Sequence, residues 1–178
     1  MFIDEEGEAT IRGIWENVCD AGISSFMPDT GVRPHITLAV YDQLDIDLFL
    51  EKFSEFSREL SPISFSLSSI GAFLEPRGTV FIAPTVTHRL MNLHAKFHQE
   101  FHDLEHSLSE YSLPGKWLPH FTLASELSDD QIKEVICIGL NAPVPAHSTL
   151  TEIGIGEFSY ELDSRAYQVS WIFSVPIV

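Results

Sequence analysis

Cysteine is scarce in this chain of 178 residues: only Cys19 and Cys137 occur, too few for a disulfide framework. Each falls in a helical-looking apolar pattern, so both read as buried thiols in a reducing compartment. Basic residues are also few. Ten Lys and Arg stand against 26 Asp and Glu, a formal net charge of -16, whereas phosphate-backbone binding draws its affinity from clustered cations. A broad nucleic-acid footprint is therefore excluded, no long duplex is an expected partner, and any phosphate ligand must be held locally. No run approaches the roughly 20 apolar residues of a membrane span. The opening Met1-Phe2-Ile3-Asp4-Glu5-Glu6 has neither a basic nor an apolar leader region. A soluble cytoplasmic protein is expected, monomeric by default and with no membrane partner. What the chain does have is apolar content, 44% of residues, enough to bury the core of one domain.

Taken in order, residues 1–4 predict a short edge strand, and Ile11, Ile14, Trp15, Val18 and Cys19 lie at helical spacing. Gly22, Pro28 and Gly31 break that pattern before a strand expected to carry His35 through Val40 to about Asp42. Asp45 is placed to cap a helix in which Phe49, Phe53, Phe56 and Leu60 form one buried stripe, and Pro62 stops it. Ile63, Phe65 and Leu67 alternate with Ser64, Ser66 and Ser68 as a strand with one wet face. Residues 80–83, between Gly78 and Pro84, read as a strand buried on both faces.

The second half repeats the order. Leu90, Leu93, Phe97, Phe101, Leu104 and Leu108 form a long helical stripe, and a strand carrying His120 follows Pro114-Gly115. Ser128 to Gln131 is a capping box that opens a helix with Ile132, Val135 and Ile136 on its inner side. Two strands close the chain, one around Leu150 to Phe158 and one in which Tyr167, Val169, Trp171, Phe173 and Val175 alternate with mainly polar residues. We expect an α+β fold over residues 1–178, a bilobal, pseudo-twofold duplicated module with repeat halves of approximately 1–84 and 85–178. Its lobes interleave, two antiparallel-rich sheets line a central cleft, and the helices pack outside.

Two hexapeptides stand at matching points of this repeat. Pro34-His35-Ile36-Thr37-Leu38-Ala39 and, 85 residues later, Pro119-His120-Phe121-Thr122-Leu123-Ala124 agree at five of six positions. Period-two alternation puts His and Thr on one face, while Ile36 and Leu38, like Phe121 and Leu123, anchor the other. If the lobes meet along these strands, two imidazoles and two hydroxyls line one cleft from opposite sides. In-line displacement at phosphorus needs that opposition. One neutral His takes a proton from the incoming oxygen and a protonated one gives a proton to the departing oxygen, since the ordinary histidine pKa of about 6.5 lets both forms exist. Threonine hydroxyls would hydrogen-bond the non-bridging oxygens.

On these residues the chain resembles the two-histidine phosphoesterases, the superfamily of 2'-5' RNA ligase-like proteins and cyclic nucleotide phosphodiesterases. The resemblance spans nearly the whole chain. It implies a bilobal, pseudo-symmetric α+β module in which His35, Thr37, His120 and Thr122 act on a 2',3'-cyclic or 2'-5' phosphodiester of a nucleotide or short RNA end. It also implies that no metal and no cofactor takes part.

Secondary signals surround the motifs. Arg33 lies two residues before His35 on the same strand face, and Lys116 and Trp117 lead into the second motif. Both groups are expected at the substrate, offsetting the acidic surface and stacking a base. Tyr111, with Phe73 and Arg77, is placed in loops at the cleft rim. His94, His98, His102 and His106 form a four-residue ladder whose spacing suits a divalent ion. Gln99 stands where a metalloprotease helix has Glu, and the ladder drifts off the apolar stripe, so a partly solvated flank is expected. His88 and His147 show no partners. Two other readings accompany the phosphodiesterase: a nucleotide- or phosphate-binding module without turnover, and a metal-dependent hydrolase using the His94 to His106 ladder.

Overall fold

Apolar spacing and caps set the helices. The structure, a computed structural model, describes residues 1–75, 78–161 and 166–178, with the backbone alone at 105, 106, 160, 161, 166 and 167. Helix α1 (Glu5–Asp20) buries Ile11, Ile14, Trp15 and Val18, and the Asp4 carboxylate caps it by accepting from the Gly7 N–H. A one-turn α2 (Phe26–Asp29) follows, unforeseen because Pro28 reads as a breaker. Proline is tolerated in a first turn, whose N–H groups have no intrahelical partner. In α3 (Ile46–Arg58) Asp45 accepts from the Leu48 N–H as expected, and Phe49, Phe53 and Phe56 are buried. Helix α4 (His88–Glu100) is capped by Thr87, and α5 (Asp129–Leu140) opens on the predicted Ser128–Gln131 capping box.

The long stripe after Leu90 does not make one helix. Helix α4 ends at Glu100, and 3-10 turns at His102–Ser107 and Glu110–Ser112 carry the chain onward. Phe101 and Leu104 stay buried through that change. Rings of Phe49, Phe53, Phe56, Phe97 and Phe101 pack with centroids 4.5–5.7 Å apart. Each such side chain contributes about 1.5–3 kcal/mol by leaving water, so this cluster is the main apolar anchor of α3 and α4. Both cysteines are exposed, not buried. Cys19 falls one position past the inward stripe of α1, and on α5 it is Val135 and Gly139 that turn inward.

Two antiparallel sheets carry the rest. In the first, β1 (Phe2–Ile3) and β2 (Ile63–Phe65) both pair with β6 (Ser148–Glu161), and β7 (Ala166–Pro176) forms a long hairpin with it. In the second, β4 (Val80–Pro84) lies between β3 (Leu67–Ala72) and β5 (Phe121–Ala124), buried as its apolar run predicts. The single alternating strand expected around Ile63 to Ser68 is divided at Ser66: β2 belongs to one sheet and β3 to the other. Strand β1 is the edge strand expected: it pairs with β6 on one side, and on the other an isolated bridge from Phe2 to His35 covers it. Each sheet thus draws strands from both halves of the sequence. No described helix is long and apolar enough to cross a membrane.

Candidate active site

The two hexapeptides fold differently. The second enters a strand, β5, directly after His120 and is held in register by β4 with Thr122 opposite Phe81. The first is extended but is not a strand of a sheet: it makes one isolated bridge, His35 to Phe2, and the chain just beyond it makes another, Tyr41 to Leu108. Main-chain bonds between Met1 and Ile36 run in both directions, 3.0 and 2.9 Å, and fix it beside β1. Beyond Leu38 it veers off, and Val40 binds the loop at Ser109 and Ser112 instead. The faces nonetheless follow the predicted period of two. Pro34, Ile36 and Leu38 are buried with His35 and Thr37 half-exposed between them, and Pro119, Phe121 and Leu123 are buried with His120 and Thr122 half-exposed.

Both histidines are oriented by their own backbone. Nδ1–H of His35 donates to the Arg33 carbonyl at 2.7 Å, and Nδ1–H of His120 donates to the Leu118 carbonyl at 2.7 Å. A carbonyl only accepts, so each neutral imidazole carries its proton on Nδ1 and keeps a lone pair on Nε2. Aromatic rings wall both sites: Phe2 and Trp171 lie 6.5 and 5.8 Å from the His35 ring, Phe73 and Phe81 4.9 and 5.5 Å from His120. Glycines make room on the His35 side, since a Cβ at Gly154 would meet Phe2 at 2.8 Å and one at Gly156 would meet Trp171 at 2.9 Å.

Burial pushes His35 down to about 4, against the pull of the Arg33 carbonyl. The amino terminus and His120 lower it further by repulsion. Burial also lowers His120 below the ordinary histidine value, opposed by the Leu118 carbonyl. A proton on one imidazole therefore opposes a proton on the other, and the pair favours carrying one proton over two.

Most of the secondary residues have partners within the fold. The Arg33 guanidinium binds Glu8 and Glu152 at 3.2 Å and lies 4.2 Å over the Phe2 ring. Lys116 pairs with Glu110 on the surface. Trp117 is not a free stacking platform. Its indole N–H donates to the Thr37 carbonyl at 2.8 Å, and one ring face is covered by His94 at 4.0 Å and 8°. Tyr111 is 60% exposed in a 3-10 turn. Phe73 lies against His120 as the rim reading requires, and Arg77 lies outside the described residues. A cavity of about 380 Å³ has His35, Thr37 and Trp171 in its wall but neither His120 nor Thr122.

The histidine ladder does not hold together. His94 and His98 are buried, not solvated, with Nε2 atoms 3.1 Å apart, and His94 donates to Ser112 or to its neighbour. His102 sits past the end of α4, bound to the Gln99 carbonyl and to Asp103. The His106 side chain lies outside the described residues. Among the described residues no group of three or more His, Cys, Asp or Glu is arranged to hold a metal ion. His147 does find a partner, the Ser66 hydroxyl at 3.4 Å.

Trp15, Phe2, Trp171 and Phe81 are not among the site residues expected from sequence. Their sequence signal is that of core packing, and only the sheet registers and, for Trp15, the packing of α1 bring them to the motifs.

Residues 7–159 match the 2'-5' RNA ligase superfamily. A Bacillus licheniformis protein named as a candidate phosphoesterase is 26% identical over 108 residues, covering 59% of this chain. The match spans about 60% of the length of that curated relative. Escherichia coli LigT superposes in its apo form with a TM-score of 0.61 at 16% identity, over 99% of this chain and 95% of LigT. Its complex with 3'-AMP gives 0.62 at 16% identity, over 99% and 96%. A Thermus thermophilus protein gives 0.63 at 16% identity, over 99% and 94%. At such identities the superpositions show a shared fold.

Proposed function

We propose, from the premise that this chain belongs to the 2'-5' RNA ligase superfamily, that it is a phosphodiesterase opening a 2',3'-cyclic or 2'-5' phosphodiester of a nucleotide or short RNA end by histidine acid–base catalysis. The observation that carries this reading is the pair of histidines, each with Nδ1 tied to the carbonyl two residues earlier and each with Nε2 left to react, with the charge of His120 felt at His35. His35, held to about 4, is neutral near pH 7 and is the base. His120, lowered by burial rather than by a neighbouring charge, is the acid.

In the forward step water attacks phosphorus and His35 Nε2 takes its proton. The bond from phosphorus to the 2' or 3' oxygen breaks, and protonated His120 gives its proton to that oxygen. Proton count is conserved, and His35 and His120 exchange roles for the reverse. Thr37 and Thr122, on the same faces as the histidines, donate hydroxyl hydrogen bonds to the non-bridging oxygens as charge builds there. The scheme draws its proton transfers from the two imidazoles and needs no metal. The 3'-AMP held by E. coli LigT supports a single ribonucleotide phosphate as the scale of the ligand, and the charge of -16 disfavours longer polyanions.

The test is turnover of 2',3'-cyclic AMP with EDTA present. Wild-type protein is expected to form a nucleoside monophosphate, and His35→Ala and His120→Ala to lose that activity. Undiminished turnover in either variant would refute the mechanism.

A further inference from the structure

Each motif threonine has its backbone carbonyl capped by an indole. Trp117 Nε1–H donates to the Thr37 carbonyl at 2.8 Å, and Trp15 Nε1–H donates to the Thr122 carbonyl at 3.0 Å. The donors come from the wrong side of the repeat. Trp117 is three residues ahead of His120, yet it binds the His35 motif. Trp15 is on α1, which begins just after β1, the strand bridged to His35, yet it binds the His120 motif. The Trp117 bond ties the approach to the second motif to the first, and the Trp15 bond ties α1, which follows the strand bridged to His35, to the second.

Both donors are themselves held. Trp15 is 3% exposed on the inner face of α1. Trp117 is clamped by the buried His94 ring stacked on it at 4.0 Å, and His94 Nε2 lies 2.9 Å from the Ser112 carbonyl. Helix α4 thus reaches the first motif through Trp117. An indole ring is rigid, with two rotatable bonds, and a hydrogen bond at the end of its reach sets a length.

We propose that Trp15 and Trp117 are positioning residues that cross-brace the two motif segments and thereby fix the separation of the His35 and His120 imidazoles. Neither touches the reacting atoms. The proposal rests on the phosphodiesterase reading only for its kinetic readout. Trp117 carries the greater share, because Thr122 is also held in the β4–β5 register whereas Thr37 lies in a segment with isolated bridges only.

The experiment replaces each indole with a ring that lacks the N–H. Trp117→Phe is expected to lower kcat on 2',3'-cyclic AMP by roughly 10- to 100-fold, the scale of a misplacement of about 1 Å in a catalytic group, with KM within about twofold. Trp15→Phe has the smaller effect. Side-chain NMR titration of the two motif histidines supplies a second readout that needs no turnover: in Trp117→Phe the His35 titration moves up from about 4 toward the ordinary histidine value. Benzothienylalanine at position 117 keeps the ring volume and loses only the donor, so it reports the same effect if the Phe variant is poorly folded. A folded variant with both kcat and the His35 titration unchanged overturns the brace. If wild-type protein fails to turn over the cyclic nucleotide, the functional reading falls and the titration alone decides the brace.

Discussion

The two copies of one hexapeptide are five-sixths identical in sequence and unequal in structure. The copy at His120 runs into a sheet strand with a ladder partner for its backbone from Phe121 on, and the copy at His35 is an extended segment held by Met1 and Trp117. The shared residues fix what is local: the alternation of faces, and the bond from Nδ1 to the carbonyl two residues back, 2.7 Å in both. What differs comes from neighbours far along the chain. His35 meets Phe2, Trp171 and the amino terminus and is driven to about 4, while His120 meets Phe73 and Phe81 and is lowered by burial alone. A duplicated motif thus supplies two equal groups, and asymmetric surroundings set them apart.

The comparison can be broken most directly at the histidines. His35→Ala and His120→Ala are each expected to cut kcat on 2',3'-cyclic AMP by about 10²–10⁴-fold, the range for one proton-transfer group, and the double variant should be little worse than the more damaging single one. A large loss in one with none in the other would leave a single working histidine and no pair.

The pH profile separates the roles. kcat/KM should fall as acid protonates His35 near pH 4 and fall on the alkaline side as His120 loses its proton below the ordinary value of 6.5, each limb about tenfold per pH unit. The optimum therefore lies on the acid side of neutrality. An optimum above pH 7 would contradict the surroundings assigned to both rings.

Stability sharpens the same contrast. Unfolded, a histidine takes a proton near 6.5; folded, His35 resists until about 4. Between those values the unfolded chain binds more protons, so stability drops as pH falls from 6.5 toward 4, at up to about 1.4 kcal/mol per pH unit for one group. Urea unfolding of His35→Gln should show a flatter dependence than wild type, and His120→Gln should flatten it less. His94, also lowered to about 4, leaves a residual slope in both.

The smallest effects separate the basic residues that precede each motif. Arg33→Met removes the link between Glu8 on α1 and Glu152 on β6 and should cost about 1 kcal/mol in urea unfolding, the upper end for a partly exposed pair, with KM unchanged. Lys116→Met should leave the unfolding midpoint where it is. A raised KM in Arg33→Met would return that residue to the substrate.

Much of this was legible in the sequence because it depends on near neighbours. The Phe49, Phe53 and Phe56 stripe, the Asp45 cap, the Ser128 capping box, the buried run at residues 80–83 and the faces of His35, Thr37, His120 and Thr122 all follow from spacing of four residues or fewer. What failed depends on pairing across long separations. Nothing local shows that the first motif lacks a ladder, that Ser66 marks a change of sheet, or that Arg33 is claimed by two carboxylates. An aromatic beside a repeated His-x-Thr motif suggests stacking on a ligand, yet the acceptor that Trp117 finds, the Thr37 carbonyl, lies 80 residues earlier.

The strand order has a consequence for how the molecule is made. Strands β1 and β2 meet only through β6, so the first sheet has no centre until residues 148–161 have left the ribosome. Until then β1 and the apolar faces meant for β6 remain without their template. Contacts this distant in sequence slow folding and prolong the exposure of sticky strands. His35 shares its walls with Trp171 of the closing hairpin, so its surroundings are completed last, whereas the sheet that His120 leads into is made from residues 67–124.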